Sequence, residues 1–362
     1  MKVTIITAFP EFFNDFLRTS IIGRAVKSGL IQVDCVDLRE FGSGKYRQID
    51  DYSFGAGGMV MMAEPLRLAL ESSCGENHSE TAYVVCPSPQ GELLSHNMVK
   101  AIAEKAEKKH VVIVCGHYEG IDERFTERYV NLEFSIADVV LSGGEIPAMA
   151  LVDAMARLVP NVVGRMAAVQ NDSFYTGMLD HQHYTRPAEW QGMTVPEVLV
   201  SGHQSEIKEW RRKQAIRRTI DRRADLIAKA DLRPYIKLYA VFIIPEHQCQ
   251  DKMREVSELC KVNEVIKNFL ISDSLHFDNF KRVKDLEQVA KLLMKKYDGK
   301  YPFMLDFTDN QESGIDWADL KKNLLEADLP VLFIYMTVPE FWESNILALT
   351  FNKLSGAEQE EK

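Results

Sequence analysis

What most constrains this chain is an alternation of patterns. Short, apolar, β-branched runs at residues 3–7, 83–86, 111–115 and 134–141 are separated by amphipathic helical stretches such as 95–109. Continuous apolar runs of this length suit strands buried on both faces, and helices between them provide the crossovers that a parallel sheet requires. Residues 1–163 are therefore expected to form an α/β domain around a mainly parallel sheet.

Three of these runs open into loops rich in glycine and proline. The first is Cys86-Pro87-Ser88-Pro89-Gln90-Gly91 and the second is Cys115-Gly116-His117-Tyr118-Glu119-Gly120. The third is SIADVVLSGGEIP, residues 135–147. Ligands of open α/β sheets bind outside the carboxyl ends of the strands, and glycine lets the backbone approach them closely. Three such loops in one domain point to one shared pocket. No GxGxxG follows the first strand and no GxxxxGK[ST] occurs, which excludes the usual dinucleotide and P-loop signatures.

Residues 164–176 lack a period and read as an interdomain linker. Residues 177–234 form a small helical unit: the turn formers HYTRP and GMTVPEVLVSGHQ, a basic helical run at 205–219 and a further helix at 222–230. Pro234 marks a second break. Residues 235–355 carry strand-like runs at 237–244, 302–308 and 330–337 and helical runs at 283–296 and 317–324, which make a further α/β unit. Residues 356–362 are expected to fray.

The formal net charge is −10, which speaks against a nucleic-acid partner only as an average. Residues 203–233 hold ten Lys/Arg against five Asp/Glu, whereas residues 235–362 hold 16 against 22. A local basic patch can track phosphates inside an acidic protein. Lys208, Arg211, Arg212, Lys213, Arg217 and Arg218 are the candidates, the alternative being a solvated helix face.

Six cysteines (35, 74, 86, 115, 249 and 260) form no CxxC pair, so buried reduced thiols are expected. The nine histidines show no metal spacing, and the alternating pair His181 and His183 has no evident partner, so no metal site is assigned. No apolar stretch approaches the roughly 20 residues that span a bilayer. The opening MKVTIITAFPEFF reads as a strand and turn rather than a secretion signal, so a cytoplasmic location without membrane contact is expected.

The segments FPEFF, SIIGRA, the Asp50-Asp51 pair, YEGIDER, SIADVVLSGGEIPAM, DSF, HYTRP and LVSGHQSEIKEWRRKQ, in that order, resemble the bacterial tRNA (guanine-N1)-methyltransferases. These are the TrmD family of the SPOUT class, and the likeness covers residues 1 to about 233. The resemblance implies a trefoil-knotted domain, an exception to the rule against knots. It also implies a homodimer with the active site at the subunit interface. It places S-adenosylmethionine against Ser88, Pro89, Gln90, Gly116, Ile136, Ala137, Asp138, Val139, Val140, Leu141, Gly143, Gly144 and Pro147.

The resemblance further assigns Asp172 as the base that removes the guanine N1 proton and Arg157 as the cation that stabilises charge on O6. Read alone, Asp172 is equally a solvated loop acid, and Arg157, in an apolar helix at 148–159, an interface ion-pair partner. Asp50, Gly58 and Glu119 become candidates to hold the target guanosine 37 and the guanosine before it in the anticodon loop, which an unstacked single strand can present. The basic helix would grip the tRNA backbone. Mg²⁺ is a further cation implied for the family, with Glu119 as a suitable oxygen donor.

The chain departs from the family at His117, where many members carry arginine, at Cys86-Pro87 in place of Tyr-Leu, and at GAGGM in place of GGGPGM. Residues 235–362 are a larger departure. They look like a second SPOUT-type domain without glycine-rich cofactor loops, and are expected to be a non-catalytic appendage that dimerises or binds another protein. Two other functions compete: a SPOUT ribose 2′-O-methyltransferase, which would not need Asp172, and a non-catalytic RNA-binding protein, which would not need the cofactor loops.

Overall fold

A computed structural model describes residues 1–55, 57–164, 172–175 and 177–230, and beyond them 237–243, 261, 267–271, 280–282, 303–307, 317–326 and 331–337. The chain divides into two compact units, Met1–Gln170 and Asn171–Lys362.

The first unit is built on five parallel strands: β1 (Lys2–Thr7), β2 (Gln32–Asp37), β5 (Ala82–Leu93), β6 (His110–Val114) and β7 (Leu132–Ser135). They lie in the order β2-β1-β6-β5-β7. A short antiparallel hairpin of β3 (Asp50–Tyr52) and β4 (Met59–Met61) stands apart from the sheet. Helices α1 (Ser20–Lys27), α2 (Ala63–Cys74), α3 (His78–Thr81), α4 (His96–Ala106), α5 (Glu123–Tyr129) and α6 (Glu145–Ala156) complete the unit.

The period-2 geometry of strands sorts the apolar residues onto two faces. Val3, Ile5, Val85, Val111 and Ile113 pack with Met98, Val99 and Ile102 of α4 and Ala148, Leu151, Val152 and Met155 of α6. Their neighbours Ile6, Val84, Val112 and Val114 pack with Leu66, Ala69 and Leu70 of α2 and Phe125 of α5. Both faces are covered, as the continuous apolar runs require. Strand β2 was not anticipated, because QVDCVD alternates polar and apolar residues as an edge strand does.

Two boundaries differ from expectation at functionally important places. The strand predicted over 134–141 ends at Ser135. Ser135 Oγ donates to Ala137 O at 2.8 Å, and Val139, Val140 and Leu141 are turned outward, Val140 being 92% exposed. The helix predicted over 148–159 begins earlier, at Glu145 after Gly144, and Arg157 is its C-cap, donating its backbone N–H to Asp153 O. Pro147 falls in the first turn, where its missing N–H leaves no helical bond unmade.

The first glycine-proline loop is a bulge inside β5. Pro87 and Glu92 both pair with Phe134 of β7, so the four residues between them are looped out while the strand resumes its ladder. Gly91 passes so close to β7 that a Cβ there would lie 2.3 Å from Phe134 N and 2.5 Å from Glu133 C.

The second unit contains a hairpin of β8 (Glu189–Trp190) and β9 (Met193–Thr194), then helices α7 (Glu197–Val200), α8 (Gln204–Arg222) and α9 (Asp225–Lys229). It also contains a five-stranded parallel sheet of β10 (Lys237–Ile243), β11 (Lys267–Ile271), β12 (Phe280–Arg282), β13 (Phe303–Phe307) and β14 (Val331–Thr337), in the order β12-β11-β10-β14-β13. Strands β11 and β12 were not anticipated. Helix α10 (Trp317–Glu326) matches the run predicted at 317–324, while the helix predicted at 283–296 and the tail at 356–362 lie outside the described residues. Of the linker predicted over 164–176, the residues described are 164 and 172–175, and Tyr175 N donates to Asp172 O in a turn.

Helices α9 and α10 pack together, and the fully buried Lys321 of α10 donates from Nζ to Ala230 O at 3.0 Å, just past the end of α9. A cation satisfying a terminal carbonyl is favoured at a helix C-terminus. No described helix is long and apolar enough to cross a membrane.

Gly91→Ala is expected to force β5 and β7 apart and to cost about 1–3 kcal/mol, read as a lowered urea midpoint. Lys321→Met keeps the apolar stem but leaves the Ala230 carbonyl unpaired, and is expected to cost about 1–3 kcal/mol in the same measurement.

Candidate active site

In the first unit the three loops meet around one cavity of about 380 Å³ at the carboxyl ends of β5, β6 and β7. Ser88, Pro89, Gln90, Gly116, Ile136, Ala137, Val139, Val140, Leu141, Gly143, Gly144 and Pro147 all line it, whereas Asp138 does not. The looped-out 88–91 segment supplies one wall. The exposed turn after Ser135 supplies another, which explains why an apolar run there does not join the sheet.

The loops are tied to each other through backbone. Gly144 N donates to Gly116 O at 2.9 Å, and a Cβ on Gly144 would lie 2.8 Å from Cys115 Cα. The second loop is also zipped to the hairpin: Glu119 N donates to Met59 O, Met61 N to Gly120 O and Asp122 N to Met61 O. This brings Glu119 against Gly58, where a Cβ would meet Glu119 Oε1 at 2.6 Å. Glu119 lines the cavity; Asp50, opposite Met61 in the hairpin, does not.

Sequence reading missed a polar network at the cavity floor. Glu145, only 4% exposed, accepts from Thr7 Oγ1 at 2.7 Å and faces His117 Nε2 with both carboxylate oxygens at 2.9 Å. A buried carboxylate persists when it is paired and hydrogen-bonded, and these partners meet that condition. The available signal was a glutamate opening a largely apolar helix whose other charged residue, Asp153, is exposed. His117 also stacks obliquely on Phe9, with ring centroids 4.9 Å apart. The position where many family members carry arginine therefore holds a side chain anchored to a buried acid.

The two buried thiols nearest the cavity are poor nucleophiles. Burial, reinforced by the charge of Glu133, pushes the Cys86 thiol up to about 12, and burial raises Cys115 well above the ordinary thiol range. Cys35 and Cys74 are partly buried and also raised, while Cys249 and Cys260 lie outside the described residues. Nucleophilic chemistry at neutral pH needs the thiolate, so the four described cysteines fill space.

Arg157 is a partly buried residue of the first unit, and Asp172 is a partly buried residue of the turn that opens the second. The six basic candidates all lie on α8. Lys208, Arg211, Lys213 and Arg217 are exposed, whereas Arg212 is held by Glu209 through two bonds of 2.7 and 2.9 Å. The expectation that His181 and His183 lack a partner ligand is corrected: Asp180 lies beside both, with ligand atoms of all three within 4.8 Å of one another. The turn, rather than the sequence spacing, creates that grouping.

Residues 1–229 match the family described as tRNA (Guanine-1)-methyltransferase TrmD. Proteins named tRNA (guanine-N(1)-)-methyltransferase from Moorella thermoacetica and Neisseria meningitidis serogroup C are 46% and 48% identical to the chain over 235 residues, covering 65% of it and 93% of each relative. One of the same name from Ruminiclostridium cellulolyticum is 44% identical over 230 residues, covering 63% of the chain and 97% of the relative. The family match ends before β10 and spans the whole cavity, Arg157, Asp172 and the basic helix. The chain belongs to the tRNA (Guanine-1)-methyltransferase TrmD family.

Proposed function

We propose that the chain transfers a methyl group from S-adenosylmethionine to N1 of guanosine 37 in tRNA, where a guanosine precedes it in the anticodon loop. The observation that carries this reading is the convergence of three loops on one cavity inside the family-matched span. Its volume is in the range of small-molecule sites. The lining fits an adenosyl group: Pro89, Ile136, Val139 and Leu141 offer apolar walls, and the glycines at 116, 143 and 144 bring loop backbone to the cavity wall.

S-adenosylmethionine supplies an electrophilic methyl group on sulfur. The remaining work falls to the chain. Guanine N1 is a poor nucleophile while protonated, and Asp172 takes that proton as general base. Charge then builds on O6, where the Arg157 guanidinium stabilises it. Glu119, held against Gly58 at the cavity, accepts from guanine donors and is the oxygen donor a Mg²⁺ would use. Asp50 supports the same hairpin. Lys208, Arg211, Arg212, Lys213, Arg217 and Arg218 bind tRNA phosphates, with Arg212 first released from Glu209.

On this reading residues 1–163 are a knotted catalytic domain, 164–176 a linker, 177–234 the tRNA-binding helical domain and 235–355 an appended α/β domain. The strand order of the first sheet and the tight crossing of Gly144 over Cys115 and Gly116 support a knotted loop. Exposed apolar residues of the first unit, among them Phe12, Val140 and Ile146, support a homodimer with the site at its interface. A tRNA substrate fits a cytoplasmic protein, and the acidic extension remains available for a protein partner.

Purified protein with S-adenosylmethionine is expected to produce 1-methylguanosine in a tRNA bearing guanosine at both positions, identified by mass spectrometry of the digested nucleosides. A ribose-methylated product would overturn the reading. Asp172→Asn is expected to slow single-turnover methylation about 10²–10⁴-fold while S-adenosylmethionine binds as before. An unchanged rate removes Asp172 as the base.

A further inference from the structure

We propose that Asp180, His181 and His183 form a binding site for a divalent transition-metal ion of the zinc type. The three lie in the second unit, in the turn before β8, and their ligand atoms lie within 4.8 Å of one another. His183 Nε2 stands 2.9 Å from Asp180 Oδ2, and His181 Nε2 stands 3.8 Å from Asp180 Oδ1. Donors around a tetrahedral zinc ion, bonded at about 2.0–2.2 Å, are separated by about 3.4 Å. The observed spacings bracket that value, so small side-chain rotations suffice.

The outer contacts prepare the ligands. His181 Nδ1 lies 2.9 Å from the backbone oxygen of Gln182, which can only accept. Nδ1 therefore carries the proton and Nε2 presents its lone pair toward Asp180. Asp180 is fixed in turn: its N–H donates to Ser173 Oγ at 2.9 Å, and its Oδ1 accepts from the backbone N–H of His181 at 2.7 Å. Without a metal, His183 donates its Nε2 proton to Asp180. Metal binding moves that proton to Nδ1 of the same ring, freeing Nε2 as a ligand with no net proton release.

Ligand chemistry sets the class of ion. Two imidazoles and one carboxylate favour zinc, nickel or copper over magnesium or calcium, which prefer all-oxygen shells. The site carries one negative charge, which attracts a dication. His181 and Asp180 are largely buried, whereas the His183 side chain is 70% exposed, so solvent reaches one side and can fill a fourth position. The bound ion would brace the turn against α8, because His181 and Tyr184 each place their rings 6.3 Å from Trp210 of that helix.

The test uses the full chain, stripped by chelator dialysis and titrated with Zn²⁺ against a chromophoric zinc indicator. One ion per chain is expected, with a dissociation constant on the order of micromolar. Co²⁺ in place of Zn²⁺ is expected to give visible absorption of tetrahedral intensity. His183→Gln, at an exposed position that does not threaten folding, and His181→Gln are each expected to weaken binding by about tenfold or more. Both should also abolish the zinc-dependent rise in the unfolding temperature. Absence of saturable binding, or a loss below about tenfold in either variant, overturns the proposal.

Discussion

Everything at the cavity depends on the burial of both faces of the first sheet. With α4 and α6 on one side and α2 and α5 on the other, β1, β5 and β6 have no solvated face on which to build chemistry. Polar groups can gather only where the strands end. The bulge near the end of β5 and the loops after β6 and β7 are forced into one another's company there, and glycine is used where their backbones touch. The Thr7–Glu145–His117 network has the same origin: it occupies the junction where β1 ends and α6 begins, and there the buried carboxylate finds two partners.

Much of this architecture was legible in the residues. The runs around Val3, Val84 and Val112 are β-branched and continuous because two layers cover them, and the sequence shows that directly. The motif YEGIDER and the SGGEIP segment marked the cavity through their glycines: Gly120 takes a positive φ in a turn, and Gly144 crosses closely over the backbone of Cys115. What was not legible arises from contacts distant in sequence. The run from Ile136 to Leu141 has the composition of a strand, and only the walls of a cavity give it another use. Glu145 looks like an ordinary helix-opening acid until Thr7, 138 residues away, reaches it. Asp180 was overlooked because its place beside His181 and His183 comes from a turn closed by Ser173, not from a spacing rule.

The two parallel sheets share more than their class. Setting aside the edge strand β12, the second sheet places its strands in the chain order second, first, fourth, third: β11-β10-β14-β13. Strands β2-β1-β6-β5 of the first sheet follow the same order. The first sheet then adds β7, whose end feeds the third cavity loop, whereas the second extends at its opposite edge with β12. Among the described residues, the extension thus repeats a framework and shows no strand in the place of β7, which positions the third loop. Packing ties it to the helical segment before it, since buried Lys321 of α10 donates to Ala230 O just past the end of α9.

The bulge in β5 has a consequence for how this protein can change. Because Pro87 and Glu92 are both registered on Phe134, residues 88–91 are anchored at each end to the same rung of the sheet. Side chains at 88–90 can be exchanged without disturbing the ladder, whereas Gly91 cannot, because a Cβ there would meet the backbone of Glu133 and Phe134. A residue inserted or deleted among 88–90 is absorbed by the loop while Pro87 and Glu92 keep their shared rung. The segment from 88 to 90 can therefore drift in sequence and in length while the sheet stays in register, so descendants of this chain would tune the pocket there without repacking the core.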